Sequence, residues 1–497
     1  MLTASRTHHA TATLTALLMG CSGGMASPDT PSDPTGEAPG KPNFLLVSMD
    51  TCRYDHTGLG DYERDTTPNL DRLAQQGVSF THAYAQSNET LYSHAAIFTA
   101  TYPGDLATLD DDFHLPSDAH TLAEVLSLYN YDTAGFTGGA YMTSALGMGR
   151  GFEVYRDDVH FGSFFQSVQL ASAWLEQPHD DPFFLFVHGY DCHSPYVKPL
   201  FFDHLFDPDY VGIADDIVPL RDGVERVHNG RFYDQLRPSF VASDNGRRYV
   251  SDDFFLEALP RAAAEHQHSI PVTPRDLEHM VAHYDGGMVY ADLYLGLLLA
   301  SLEERGLADD TVVMVFSDHG EGLTDYGHFQ HRPHLRENVI RVPLVIAGPD
   351  RFLPVGRRID SFVRSIDIAP TVLDLAGVPP LQGVPGQSLS PLLSATGNAN
   401  GAPVFSQSRH QVSVRVPGEQ LILDKAALSP EAALDPDAEH IGYHAFEGEL
   451  PAGTQPVGAR ALELRLRAWV EGLSPTAELG PGMDDELREA LRERGYW

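Results

Sequence analysis

The chain has 497 residues, 42% of them hydrophobic, enough to bury a full α/β core and a smaller second unit. Acidic residues number 69 against 33 basic ones, a formal charge of −36, which is the opposite of what a nucleic-acid partner requires. Lysine occurs only at Lys41, Lys198 and Lys425, and so acidic a surface favours solubility and disfavours polyanionic substrates.

Taken in chain order, residues 1–21 read as a leader. Arg6 marks a weakly basic start, Ala10 to Met19 is apolar but too short to span a bilayer, and Leu18-Met19-Gly20-Cys21 fits a lipobox with Cys21 as the lipidated terminus. Residues 22–41 are rich in Pro, Gly, Ser and Asp and read as a disordered linker. Together they predict an exported protein, periplasmic or at the cell surface, touching the membrane only through an N-terminal lipid anchor.

Asn43-Phe44-Leu45-Leu46-Val47 is a short unbroken apolar run, the signature of a strand buried on both faces, and it ends in Ser48-Met49-Asp50-Thr51. Thr67-Pro68-Asn69 opens an amphipathic helix through Leu70, Leu73 and Ala74. A helix over Thr121–Leu128 leads to a strand over Thr133–Phe136. Phe183–Val187 is a second buried strand, followed at once by His188, Asp191 and His193. A helix over Gly287–Glu304 precedes the strand Thr311–Phe316, which runs into Ser317-Asp318-His319-Gly320-Glu321, and Val342–Ile346 reads as a further strand.

This alternation predicts an α/β fold: a doubly wound, mostly parallel sheet with helices on both faces, spanning residues 42–395. Residues of about 200–275 interrupt it and read as an insertion capping the crevice. From 396 to 497 the pattern changes: Val412–Val416 and Leu421–Leu423 read as strands and Ala461–Leu473 as an amphipathic helix, predicting a small C-terminal antiparallel subdomain. Export permits a disulfide between Cys52 and Cys192, and two buried thiols fit equally well.

Ligands of doubly wound sheets bind beyond the carboxyl ends of the strands, so the ionisable clusters that follow the strands should meet in one crevice. Asp50, Asp318 and His319, joined by the hydroxyl of Thr90, make a ligand set for one divalent cation. The imidazole favours Mn²⁺ or Zn²⁺ over Ca²⁺ or Mg²⁺. An aliphatic hydroxyl is barely ionised at neutral pH, whereas Zn²⁺ takes the pKa of bound water from about 15.7 to about 7. A neighbouring histidine alone supplies only about 10²–10⁴ in rate, so a Thr90 nucleophile needs the cation.

The chain resembles the sulfatase family of the alkaline phosphatase superfamily. The resemblance rests on Asp50-Thr51-Cys52-Arg53, Thr67-Pro68-Asn69-Leu70-Asp71-Arg72-Leu73, Thr90-Leu91-Tyr92-Ser93-His94, Asp191-Cys192-His193-Ser194-Pro195-Tyr196, Phe316-Ser317-Asp318-His319-Gly320-Glu321, Arg341-Val342-Pro343-Leu344 and Asp367-Ile368-Ala369-Pro370-Thr371, in that order. It implies that Asp50, Asp318 and His319 hold metal, with Thr90 as both ligand and nucleophile where the family oxidises a Cys to formylglycine. It also implies that His193 protonates the leaving oxygen, that His94 stands where the family Arg orients the nucleophile, and that His331 and His94 bind the transferred anion, with His328 and His334 as bystanders.

Thr51 replaces the second of the family's paired aspartates, which weakens a Ca²⁺ site. The resulting set is similar to that of Thr-dependent phosphoglycerol transferases. The expected activity is hydrolysis of phosphate, phosphonate or sulfate esters on a small molecule, glycan or lipid. Transfer of the same group to an alcohol is one rival reading, and a non-catalytic surface lipoprotein is the other.

Overall fold

The apolar runs become the centre of one sheet because their side chains alternate between two cores. In a computed structural model, strand β1 (Asn43–Met49) sends Leu45, Val47 and Met49 to one face and Phe44 and Leu46 to the other. Strands β5 (Phe183–Gly189) and β9 (Thr311–Phe316) alternate in the same way. The structure describes residues 40–212, 240–242, 248–250, 270–393, 402–428, 441–449 and 459–473, apart from 111, 160, 195, 197–199, 324, 326–329, 333, 355 and 446–447. The leader with Cys21, the linker and most of the proposed capping insertion lie outside the described residues.

Helices cover both faces. On one side α1 (Pro68–Gln76), α4 (Phe164–Leu175) and the long α5 (Pro274–Glu304) bury Leu70, Val168 and Leu295. On the other, α2 (Thr90–Thr99), α3 (Leu122–Leu128) and α6 (Ile368–Leu375) bury Phe98, Leu126 and Val372. The remaining strands of the sheet are β2 (Val78–Tyr84), β3 (Asp132–Phe136), β4 (Val154–Arg156), β10 (Arg341–Val342), β11 (Leu344–Ala347) and β12 (Arg357–Arg364). Their order is β10-β2-β11-β9-β1-β5-β3-β4, with β12 paired to β2.

From β9 to β4 the pairs are parallel, as the sequence predicts. At the other edge β11 runs antiparallel to both β9 and β2.

Helix α5 begins thirteen residues earlier than its apolar pattern suggests, at Pro274 rather than Gly287. Thr273 caps it, accepting from the Asp276 backbone N–H, and Pro274 presets the first turn. Within the region read as an insertion, β6 (Phe240–Ala242), β7 (Arg248–Val250) and β8 (Ile270–Val272) form a small antiparallel sheet.

The C-terminal part forms a second antiparallel sheet of β13 (Val404–Gln407), β14 (Gln411–Val416), β15 (Glu419–Asp424), β16 (Ile441–Ala445) and β17 (Gly448–Glu449). Helix α7 (Ala459–Gly472) packs Leu462 and Leu466 on Val412, Val414, Leu421 and Leu423. Among the described residues no helix is long and apolar enough to cross a membrane.

Candidate active site

Strand β1 lies between β5 and β9, and its register decides what meets at the strand tips. Ser48 pairs with His188 on one side and with Phe316 on the other. Asp50, His188 and the turn Ser317–Glu321 therefore emerge side by side. The turn after β1 is strained: Thr51, a β-branched residue, has φ 56°. Two hydrogen bonds to one phenol hold it, since Tyr284 of α5 donates to the Thr51 carbonyl at 2.8 Å and accepts from the Arg53 N–H at 2.8 Å. Replacing Tyr284 with Phe should orphan both buried backbone groups and cost roughly 1–3 kcal/mol. Urea denaturation measures this, and an unchanged midpoint would contradict the role.

Asp50, Asp318 and His319 place one ligand atom each within 4.8 Å of one another, all fully buried. Thr90, the first residue of α2, lies with its hydroxyl 3.2 Å from Asp50 Oδ2 and 3.4 Å from His319 Nε2. Asp50 Oδ1 and Asp318 Oδ2 are buried with no hydrogen-bond partner. Such atoms are costly unless a cation completes them. His319 donates from Nδ1 to the Gly320 carbonyl at 2.9 Å, which leaves Nε2 as the lone-pair edge turned toward Thr90. The donor set fits a divalent cation, as the sequence reading expects.

Burial raises the Asp50 carboxyl from its ordinary 3.8 to about 6, and burial together with the neighbouring Asp50 charge raises Asp318. Between pH 3.8 and about 6 the folded, metal-free protein therefore holds more protons at Asp50 than the unfolded chain. Its stability falls as pH rises through that window and stays lower above it. A cation needs the ionised form. Adding Mn²⁺ or Zn²⁺ should thus raise Tm more at pH 7.5 than at pH 5, and an equal increment in differential scanning fluorimetry would contradict this.

His94 lies behind Thr90 on the same helix. Its Nδ1–H donates to the Thr90 carbonyl at 2.9 Å, and its Nε2 accepts from Ser48 Oγ at 2.9 Å. Burial lowers it to about 4, so it is neutral, has both nitrogens engaged, and stands behind Thr90 rather than on an anion. The helical i,i+4 spacing accounts for this, since it carries the ring back onto the first turn.

His188 is the residue that the sequence reading passed over. Its Nε2–H donates to Asp50 Oδ2 at 3.2 Å, and burial lowers it to about 4. It holds one oxygen of Asp50 so that the other faces the cation site. Its position as the polar end of an apolar strand was the available signal.

His193, from the loop after β5, donates through Nδ1 to the Ser194 carbonyl and lies with its ring 5.3 Å from that of His331. His331 donates from Nδ1 to the Asn88 carbonyl at 2.5 Å, and its ring is 4.3 Å from His319. Burial, then the neighbouring His319 and His193, push His331 well below its ordinary value. His193 and His331 thus join the group at Thr90. His334 is buried nearby, its carbonyl accepting from Asn88 Nδ2, and His328 lies outside the described residues. Cys52 and Cys192 are buried thiols rather than a disulfide.

The Sulfatase family profile matches residues 42–378. Arylsulfatase K of Xenopus laevis is 24% identical over 400 residues, covering 74% of this chain and 69% of that protein. Among solved structures, a protein in complex with its substrate D-glucosamine-2-N,6-O-disulfate aligns with TM-score 0.66 and 16% identity, over 87% of this chain and 98% of the other. The phosphonate monoester hydrolase of Silicibacter pomeroyi aligns with TM-score 0.62 and 20% identity, over 87% and 95%.

Proposed function

The chain belongs to the sulfatase family, whose members are hydrolases of sulfuric or phosphoric esters, and on that premise we propose a metal-dependent hydrolase with Thr90 as its nucleophile. One observation carries the reading: the Thr90 hydroxyl lies 3.2 Å from Asp50 Oδ2 and 3.4 Å from His319 Nε2, at the first turn of a buried helix. The helix start adds a modest positive potential at that oxygen. Asp50, Asp318 and His319 would hold the cation, with Thr90 beside them. Mn²⁺ or Zn²⁺ suits a set that includes imidazole, and such an ion supplies charge that makes an aliphatic hydroxyl acidic.

The chain's own groups account for the rest. Thr90 Oγ gives up its proton to solvent and attacks the phosphorus or sulfur, the bond to the alcohol oxygen breaks, and a protonated His193 gives its proton to the departing oxygen. His331 borders the transferred group. His94 fixes the Thr90 backbone, and His188 fixes Asp50. Water then attacks the same central atom, Thr90 Oγ departs and regains a proton from that water, and the phosphate, phosphonate or sulfate product is released.

A formylglycine hydrate expels its sulfate by collapsing to the aldehyde, and a threonine adduct has no such exit. Phosphoryl groups tolerate displacement by water at the central atom, so phosphate mono- or diesters and phosphonates should be cleaved faster than sulfate esters. The structural neighbours named above, one with a sulfated sugar and one a phosphonate monoester hydrolase, bracket that range. A panel of aryl phosphate, phosphodiester, phosphonate and sulfate esters, run beside metal analysis, tests the reading. Turnover of phosphate or phosphonate esters with one bound metal per chain is expected; no turnover of any ester, or a clear preference for sulfate, would contradict it.

A further inference from the structure

Resting on the reading of Thr90 as nucleophile, we propose that Asn88 is a positioning residue for this site. Its side-chain amide clamps the loop that carries His331, and its carbonyl fixes the His331 ring, so that nucleophile and imidazole keep one geometry around the transferred group. Asn88 stands two residues before Thr90 and is fully buried. Its Nδ2 donates to three carbonyls of the loop after β9: His331 at 2.9 Å, Arg332 at 3.1 Å and His334 at 3.2 Å. An amide nitrogen carries two hydrogens, so one of them is shared between two carbonyls. Three acceptors on one side also settle which end of the amide faces the loop. In return the Asn88 carbonyl accepts from His331 Nδ1 at 2.5 Å. That bond fixes the tautomer of the imidazole, and Nε2 is the nitrogen left for the transferred group.

Two local costs mark this as a device for the site rather than for stability. Asn88 Oδ1 is buried with no hydrogen-bond partner, so the amide is kept for its nitrogen although its oxygen goes unmatched. Gln330, directly before His331, has φ 67°, the left-handed region that a residue with a Cβ rarely occupies. Strain and unmet polar atoms of this kind persist where the surroundings over-determine a geometry, and they cluster at reacting centres. The two ends of the stretch are tied elsewhere. The Gln330 N–H donates to the Gly322 carbonyl at 3.0 Å, and Gln420 Nε2 of β15 donates to the Leu335 carbonyl at 2.7 Å. Between these ties lies His331, its ring 4.3 Å from that of His319 and 5.3 Å from that of His193. Asn88 joins this stretch to the nucleophile segment through four hydrogen bonds.

Asn88→Leu, nearly the same shape without a donor, should lower kcat/KM of the metal-loaded full-length enzyme for 4-nitrophenyl phenylphosphonate by about 10–100-fold, as misplacement of a reacting group does. The deciding readout is a double-mutant cycle with His331→Ala. If Asn88 acts through His331, Asn88→Leu/His331→Ala falls no lower than His331→Ala alone, within about twofold. Asn88→Ala should show the same lack of additivity, so a fold disturbed by the leucine cannot stand in for the effect. Bound metal should stay at one per chain in every variant. A wild-type rate in Asn88→Leu, a loss that multiplies on the His331→Ala background, or a loss that follows bound metal would overturn the role. Failure of Thr90 as nucleophile would appear separately, as turnover by Thr90→Ala with the Asn88–His331 coupling intact.

Discussion

Thr90→Ala is expected to lower kcat by about 10⁴-fold or more on every ester, as loss of a nucleophile does in covalent catalysis. No neighbouring hydroxyl can replace it. Ser93 Oγ donates to the Asp318 carbonyl at 2.7 Å, and the buried Thr51 hydroxyl stands on the strained turn at φ 56°. Thr90→Ser should keep measurable activity, because it preserves the oxygen at the first turn of α2. The alanine variant should still bind metal through Asp50, Asp318 and His319, so metal analysis separates a lost nucleophile from a lost cation. Steady-state kinetics with aryl phosphate or phosphonate esters decide the matter, and wild-type rates in Thr90→Ala would dismiss the mechanism.

Asp318→Asn should make the metal-free protein more stable and the enzyme nearly inactive. Asp50 and Asp318 are fully buried, burial and the Asp50 charge raise the proton affinity of Asp318, and Asp318 Oδ2 has no hydrogen-bond partner. An asparagine keeps the oxygen that accepts from the Thr51 N–H at 3.3 Å, and its amide can donate toward His319 Nε2, which lies 3.4 Å from Asp318 Oδ2. The like-charge repulsion disappears, so Tm without metal should rise. The cation loses one of its two carboxylates, so bound metal should fall far below one per chain and kcat/KM by about 10³-fold or more. Stability and activity moving in opposite directions is the signature of a charge pair kept for binding. A variant that loses both stability and metal would instead mark Asp318 as structural.

The centre of the fold was readable because β1, β5 and β9 are unbroken apolar runs, and their following residues had to meet once the strands paired in parallel. Asp50, Asp318 and His319 come together for that reason, and Thr90 joins them from the start of α2, beyond β2. The sheet's far edge was less legible. Strand β2 carries Ser79, Thr81 and His82 among its apolar residues, and β12 reads Arg-Arg-Ile-Asp-Ser-Phe-Val-Arg, so neither shows the buried-strand pattern.

His188 was named after the β5 run but given no role, because only the pairing with Ser48 turns its ring onto Asp50. The pairing of Arg332 and Arg409 with Glu89 was invisible for another reason: residues 89, 332 and 409 are far apart in the chain.

The most direct measurement is rapid acid quench of the metal-loaded enzyme during turnover of a phosphonate or phosphate ester, followed by peptide mass spectrometry. The mass of one phosphoryl or phosphonyl group should appear on the peptide carrying Thr90 and be absent from Thr90→Ala. The same mass on His331, Ser93 or any other side chain, with Thr90 unmodified, would contradict the assignment of the nucleophile.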